Sequence, residues 1–537
     1  MSFETRRGDL FRLSDISFLH PDKETFMTKA IELKNISKRF GEVYANKNIN
    51  FEINYGEVLS LLGENGSGKT TLMNILSGIY FPDEGEITVE GKEVKILSPK
   101  DSFALGIGMV HQHFKLVDVF TATENIVLGL EGKFLLDRKA AGAKIKELAD
   151  KYGFEIDLDK KIYDMSVSEK QTVEIIKILY RGAKILILDE PTAVLTPQET
   201  EKLFSVVRKM RADGKAVVII THKLNEVMEI SDRVAILRKG EYVGSVKTSE
   251  TNEQQLTEMM VGEKVELNIN RSKPHDQRVK IEIRNLTCVN KYGVKALDNV
   301  SFDIKSGEIL GIAGVAGSGQ RELLEAVAGL QKCEAGSSIE YKHNDGNVHH
   351  LTSKSPREIK ELGISLAFVP EDRLGMGLVG NMGMTGNMLI RSYRKGSLPF
   401  LDTVTPKNLA TDIKERLSVL TPSVSTPVRK LSGGNVQKVL VGREIANAPT
   451  VLMTAYAVRG LDINTSYVIY NILNEQKEKG VAVVYVGEDL DVLLALSDRI
   501  LVLCGGKISG IVDARTATKQ QIGALMTKHS EGQNEKN

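Results

Sequence analysis

Apolar residues fall along this chain in two alternating rhythms. Short unbroken runs such as "ILILD" (185–189), "AVVII" (216–220), "EILGIA" (308–313) and "AVVYV" (482–486) are rich in β-branched and aliphatic side chains. Runs of that length and composition predict strands buried on both faces. Between them lie stretches with helical spacing, such as "LLEAVAGL" (323–330). Strands alternating with helices predict an α/β architecture with mainly parallel sheets.

The pattern then repeats. "GEVLSLLGENGSGKTTLMNILSG" (56–78) matches "GEILGIAGVAGSGQRELLEAVAG" (307–329), and "ILILDEPTAVLT" (185–196) matches "VLMTAYAVRGLD" (451–462). "ISDRVAIL" (230–237) likewise matches "LSDRILVL" (496–503). Positions 166 and 432, 189 and 455, and 222 and 488 are each 266 apart, whereas Gly63 and Gly314 are 251 apart. Two copies this large are a tandem domain duplication, not a solenoid. We expect an extension over 1–27, a first domain over 28–262, a polar linker over 263–279, a second domain over 280–528 and a tail over 529–537. The strand pattern opens at Met27, in "MTKAIELKNISKRF".

Composition narrows the class. With 537 residues, two or more cores are expected. Lys+Arg at 71 against Asp+Glu at 70 gives net +1, which argues against a strongly basic nucleic-acid binder. No run approaches the roughly 20 apolar residues of a spanning helix, and the first residues show no apolar signal segment. Cys288, Cys333 and Cys504 are too scattered for a metal motif or a disulfide framework and are expected to serve in packing.

The first copy carries recognisable chemistry. Gly63, Glu64, Asn65, Gly66, Ser67, Gly68, Lys69 and Thr70 fit G-x-x-x-x-G-K-[ST], followed by Thr71, and stand between a strand and a helix. Such a loop wraps phosphate with inward backbone N–H groups. Its lysine supplies a point charge for the β- and γ-phosphates, and its hydroxyl reaches Mg²⁺. "KILILDEP" (184–191) ends a strand in two carboxylates. Asp189 is placed to hold Mg²⁺ and Glu190 to polarise an attacking water. His111 and His113, which flank Gln112 with no cysteine nearby, are expected to be solvated.

Four further features make the chain resemble the ABC ATPases. "LSGGNVQKV" (431–439) resembles their signature loop, "MVHQHF" (109–114) supplies a Q-loop glutamine in Gln112, "VVIITH" ends on a switch histidine, His222, and Phe40 stands where an aromatic stacks on adenine. The resemblance implies two tandem P-loop NTPase domains. Each would have a RecA-like α/β core, an antiparallel β subdomain and a helical signature subdomain. It also implies a head-to-tail pairing in which ATP lies between one domain's P-loop and the other's signature.

Under that pairing, site one takes Lys69, Thr70, Gln112, Asp189, Glu190 and His222 from the first copy. The second copy contributes Ser432, Gly433, Gly434 and Asp462. Thr70, Gln112 and Asp189 would hold Mg²⁺. Site two would take Gln320, Arg321, Glu371, Ala455, Tyr456 and Glu488, facing "MSVSE" (165–169) and Thr196 in place of an intact signature and an aspartate. The losses segregate by composite site and not by domain, so hydrolysis is expected at site one alone.

From about residue 28 to 528 the chain resembles the duplicated ATPase subunits of bacterial importers for simple sugars and nucleosides. The wording of "GMVHQHFKLV" and of "PEDR" (370–373) is most like the purine-nucleoside branch. The resemblance implies two transmembrane permease subunits and an extracellular solute-binding lipoprotein as partners. It implies a place on the cytoplasmic face of the cell membrane and no contact with nucleic acid or with the solute itself. Tandem ABC proteins that act on ribosomes are the alternative class. Those typically have two competent sites and a long basic linker, which this chain lacks.

Overall fold

The computed structural model describes residues 28–112, 114–130, 137–263, 269–290, 293–393 and 401–527. The expected extension (1–27) and tail (529–537), His113, and residues 264–268 of the expected linker lie outside the described residues.

The apolar runs become the centres of two six-stranded sheets. In the first copy the order is Glu241–Lys247, Arg233–Arg238, Val58–Leu62, Ala216–Ile220, Ile185–Asp189, Ile107–Val110. All neighbours are parallel except the Glu241–Lys247 edge strand. Val58–Leu62, Ile185–Asp189 and Ala216–Ile220 are buried at every position. That explains why they show no polar alternation. The second copy repeats the order with Lys507–Asp513, Arg499–Cys504, Ile309–Gly314, Ala482–Val486, Val451–Ala455 and Leu366–Val369. A separate four-stranded antiparallel sheet accompanies each core, led by Lys29–Phe40 in the first copy and Val279–Val289 in the second.

Helices outside the sheets form the third part of each copy. Ala122–Val127, Arg138–Tyr152 and Val167–Tyr180 bury Ile126, Ile145, Val173 and Ile176 in a small core of their own. Met384–Ser392, Val404–Arg416 and Gly433–Ile445 pack Met388, Ile413 and Leu440 into the main core of the second copy. The α/β class and the three-part domains expected from the sequence are those observed.

The two copies meet directly, and one of their contacts joins equivalent positions. Asn225 Nδ2 donates to Asp491 Oδ2 at 2.9 Å, and these positions are again 266 apart. A bond between equivalent positions is what an axis between two matched halves produces. Gln198 Nε2 donates to the Gln520 carbonyl at 3.2 Å, and Ile463 of the second copy packs on the cluster of Leu62, Val227, Leu256 and Met260 of the first. The polar stretch before the second copy is pinned to it. Arg271 donates to the Leu494 and Ser497 carbonyls. The buried Lys477, paired with Asp498 at 2.8 Å, donates to the Ser272 carbonyl at 2.6 Å.

Candidate functional site

Parallel register is what gathers the candidate residues. Val58–Leu62, Ala216–Ile220, Ile185–Asp189 and Ile107–Val110 are consecutive in the sheet, and their carboxyl ends release Gly63, His222, Glu190 and Gln112 respectively. The crevice beyond the carboxyl ends of parallel strands is where open α/β sheets bind ligands.

Gly66 and Gly68 hold left-handed conformations, with φ of 83° and 97°. A Cβ on Gly68 would lie 2.2 Å from the Ala45 carbonyl oxygen, so only glycine lets the loop turn here. Gly68 is also the residue that opens helix Lys69–Leu76, and no side chain caps that end. Its N–H groups are left facing the crevice, where the helix dipole favours an anion. Ser67 Oγ is buried without a hydrogen-bond partner in the same loop. Lys69 Nζ folds back onto the Gly63 carbonyl at 2.6 Å and the Glu64 carbonyl at 3.0 Å. Burial lowers its pKa, opposed by the charges of Glu190 and Asp189.

The two carboxylates at the strand end have opposite environments. Burial and then the neighbouring Glu190 charge push Asp189 up to about 6, with Lys69 opposing. Burial also pushes Glu190 up, but its hydrogen bond and charge pairing with His222 prevail and hold it below the usual range. Glu190 Oε1 lies 2.9 Å from His222 Nδ1, and Oε2 accepts from Gln112 Nε2 at 3.5 Å. An ionised carboxylate only accepts, so Nδ1 is the protonated ring nitrogen. Glu190 itself sits at φ 47°, a left-handed conformation that aims its side chain out of the strand line.

A cavity of 1160 Å³ opens over these groups. Gly63, Glu64, Asn65, Gly66, Gly68, Lys69, Thr70 and Thr71 line it, together with Gln112, Asp189, Glu190 and His222. The second copy closes it with its Leu461–Ile463 segment. Asn65 Nδ2 donates to the Leu461 carbonyl at 3.4 Å, and the Ile463 N–H bonds the Glu64 carboxylate. Thr70, Gln112 and Asp189 fit a divalent cation. They offer oxygen donors in one cavity, and Asp189 is a buried carboxylate that a cation would relieve.

Five predicted residues are not brought to this cavity, the first being Ser67, which is buried beneath the loop. Ser432, Gly433 and Gly434 lie one layer behind it, where a Cβ on Gly434 would sit 3.2 Å from Asp462 Oδ2. Phe40 is half-exposed on the antiparallel sheet, edge-on to Tyr80 at 5.2 Å between ring centroids. His111, expected to be solvated, is instead half-buried in the cavity wall, and burial lowers its pKa. Among the described residues, no group of three or more His, Cys, Asp or Glu is arranged to hold a metal.

The second copy keeps the backbone and replaces the chemistry. Gly319 has φ 98°, and Tyr456 at 50° repeats the turn of Glu190. Gln320 Nε2 donates to the Val315 carbonyl at 3.0 Å, as Lys69 does to its own loop. Arg321 is paired with Glu325 at 2.6 Å. Glu371 and Glu488, at the Q-loop and switch positions, both bind Arg459, at 2.5 and 3.3 Å. Burial pushes the Tyr456 phenol up to about 12.

Two functional features escaped the sequence reading. Arg459 is one; the duplication offset would have paired it with Ala193 and so flagged the added charge. The other is Glu169, which forms a capping box with Ser166 and occupies the N-terminus of helix Val167–Tyr180 with its own carboxylate. The S-x-x-E spacing announces such a box. Helix Gly433–Ile445 has no acid in its first turn.

The fold and this site define a tandem P-loop nucleotide hydrolase. A family model described as ABC transporter matches residues 46–193 and again 297–454. The chain is 42% identical over 501 residues to the nucleoside import ATP-binding protein NupA of Lactococcus lactis subsp. cremoris, covering 92% of this chain and 97% of that protein. It is 41% identical to the guanosine import ATP-binding protein NupO of Bacillus subtilis, with 93% and 98% coverage. It is 38% identical to the ribose import ATP-binding protein RbsA of Clostridium tetani, with 92% and 96% coverage. The chain belongs to the ABC transporter family, as one of its ATPases.

Proposed function

We propose that this protein energises import of a nucleoside, or failing that a simple sugar, through one competent composite ATP site. The carrying observation is the convergence of Lys69, Asp189, Glu190, Gln112 and His222 on one cavity that the second copy's Leu461–Ile463 segment closes. At the equivalent positions of the second copy, Gln320, Ala455 and Tyr456 supply neither a lysine nor a carboxylate, and Glu371 and Glu488 are both ion-paired to Arg459. The names of the relatives support nucleoside before sugar as the cargo. We place the domain limits at 28–262 and 280–528.

Lys69 binds and orients the terminal phosphates, and the P-loop N–H groups hold them in place. Glu190, kept ionised against burial by His222, takes the proton of the attacking water as general base. Thr70, Gln112 and Asp189 would hold Mg²⁺, which would supply positive charge to the phosphate oxygens. Ser432, Gly433 and Gly434 would meet the γ-phosphate once the two copies close, and Phe40 would stack on adenine.

The partners are two transmembrane permease subunits and a solute-binding lipoprotein, with this chain on the cytoplasmic face of the membrane. Docking is supported by exposed apolar side chains that follow each Q-loop. Val117, Val119 and Leu128 follow Gln112, and Leu374, Met376 and Met382 follow Glu371. Among the described residues no helix is long and apolar enough to cross a membrane. The test is isolation of the membrane complex and ATPase assay in proteoliposomes. Stimulation by guanosine or another nucleoside is expected. Stimulation by ribose or glucose alone transfers the cargo to sugars, and recovery with ribosomes instead of membrane proteins refutes the reading.

A further inference from the structure

Arg459 stands two residues before Leu461, whose carbonyl meets Asn65 of the competent P-loop. Its side chain reaches the other way. Nη1 binds Glu371 of the second copy's Q-loop at 2.5 Å, and Nε binds Glu488 of its switch loop at 3.3 Å. A second tie runs in return, because Arg373, two residues past Glu371, donates to the Arg459 carbonyl. Side chain and main chain of one residue are thus fastened to one loop. Among the described residues the first copy shows no such fastening. Its corresponding residues are Ala193, Gln112 and Phe114, and Gln112 turns to Glu190 instead.

We propose that Arg459 is a positioning residue that ties the second copy's Q-loop and switch loop to the segment closing the competent ATP site, so that the two move as one body. The inert half would then carry movement of its docking surface directly to Asn65, with no nucleotide chemistry of its own. Glu371 and Glu488, converted from the glutamine and histidine positions, become the anchors for the guanidinium. The three side chains are 55%, 36% and 45% exposed. Such pairs add little stability, so their value lies in orientation. The bridge also faces the first copy, since Glu488 lines the same cavity as Lys223 and His222. The proposal rests on the one-site reading above.

The test is a double-mutant cycle on ATP turnover by the full chain, using Arg459→Ala, Glu371→Gln and their combination, with Lys69→Ala in parallel. Coupling carried by a few packed groups predicts about a fivefold fall in kcat for each single variant, with KM for ATP within about twofold. The combination should be no slower than Arg459→Ala alone, because Glu371→Gln removes a pair that Arg459→Ala has already removed. Turnover of Arg459→Ala within about twofold of the parent, a rise in KM matching the fall in kcat, or multiplied effects in the combination would each overturn the proposal. Should Arg459→Ala fail to fold, Glu371→Gln, which keeps shape and removes only charge, must show the same kcat loss alone. If Lys69→Ala is inactive and Arg459→Ala is normal, the bridge alone fails. If Lys69→Ala keeps turnover, the one-site reading fails first and the bridge falls with it.

Discussion

Two adjacent carboxylates on one strand end have been driven apart by their surroundings. Glu190 has His222 and Gln112 on its oxygens and stays ionised, whereas Asp189 has burial and a like charge and is raised to about 6. A raised carboxyl favours the protonated form in the folded chain. Its contribution to stability is therefore full below the ordinary value of 3.8 and is lost as pH rises through about 6. Asp189→Asn should accordingly raise the melting temperature of the nucleotide-free protein at pH 7.5 by about 2–4 °C. The same variant should lose the extra stabilisation that Mg²⁺ adds to ATP. Thermal melts with and without Mg²⁺–ATP measure both, and a lower melting point in Asp189→Asn would refute the assigned strain.

At the scale of elements, the contrast lies in two helix starts. Helix Gly433–Ile445 opens on glycines with Ser432 as cap and no acid in its first turn. Helix Val167–Tyr180 opens with Glu169 bonded to the Ser166 N–H and paired with Lys160 at 2.7 Å. The first start is open to an anion, and the second already holds one. Ser432→Arg should therefore stop hydrolysis by placing bulk and charge where the γ-phosphate must arrive. Ser166→Arg should keep most turnover and lose only a cap, about 1 kcal/mol of stability. Equal damage to turnover from both variants would refute the crossed pairing.

The same elements show what a sequence discloses. The strands, the P-loop and the strand-end acids were legible because each rests on a short local pattern: an apolar run, left-handed glycines, a buried strand followed by charge. The Arg459 bridge was not, since it joins residues 88 apart and depends on side-chain direction. Nor was the place of Ser432 behind Asp462, which is set by how two copies pack. His111 was misread for a similar reason. Its burial comes from the cavity wall and not from its own neighbours in sequence.

For the whole molecule, the duplication has produced one machine with unlike halves. Asn225 and Asp491 join equivalent positions of the two copies, yet the proposed chemistry belongs to one composite site. Gln112 bonds Glu190, and the exposed apolar residues Val117, Val119 and Leu128 follow it along the chain. Gln112→Ala should therefore remove most solute stimulation in the reconstituted complex while ATP affinity changes by less than about threefold. Undiminished stimulation would show that the permeases reach the site by another route.

Steady-state ATP turnover of Lys69→Ala beside Gln320→Ala separates hydrolysis at one of the two similar P-loops from hydrolysis at both. Both side chains are buried and both bond their own loop carbonyls, so the two changes perturb folding alike. Lys69→Ala should lose turnover by a factor of about 100 or more, the scale of a lost charge-stabilising group. Gln320→Ala should retain at least about half of the parent rate. Comparable losses in two folded variants would contradict the one-site reading.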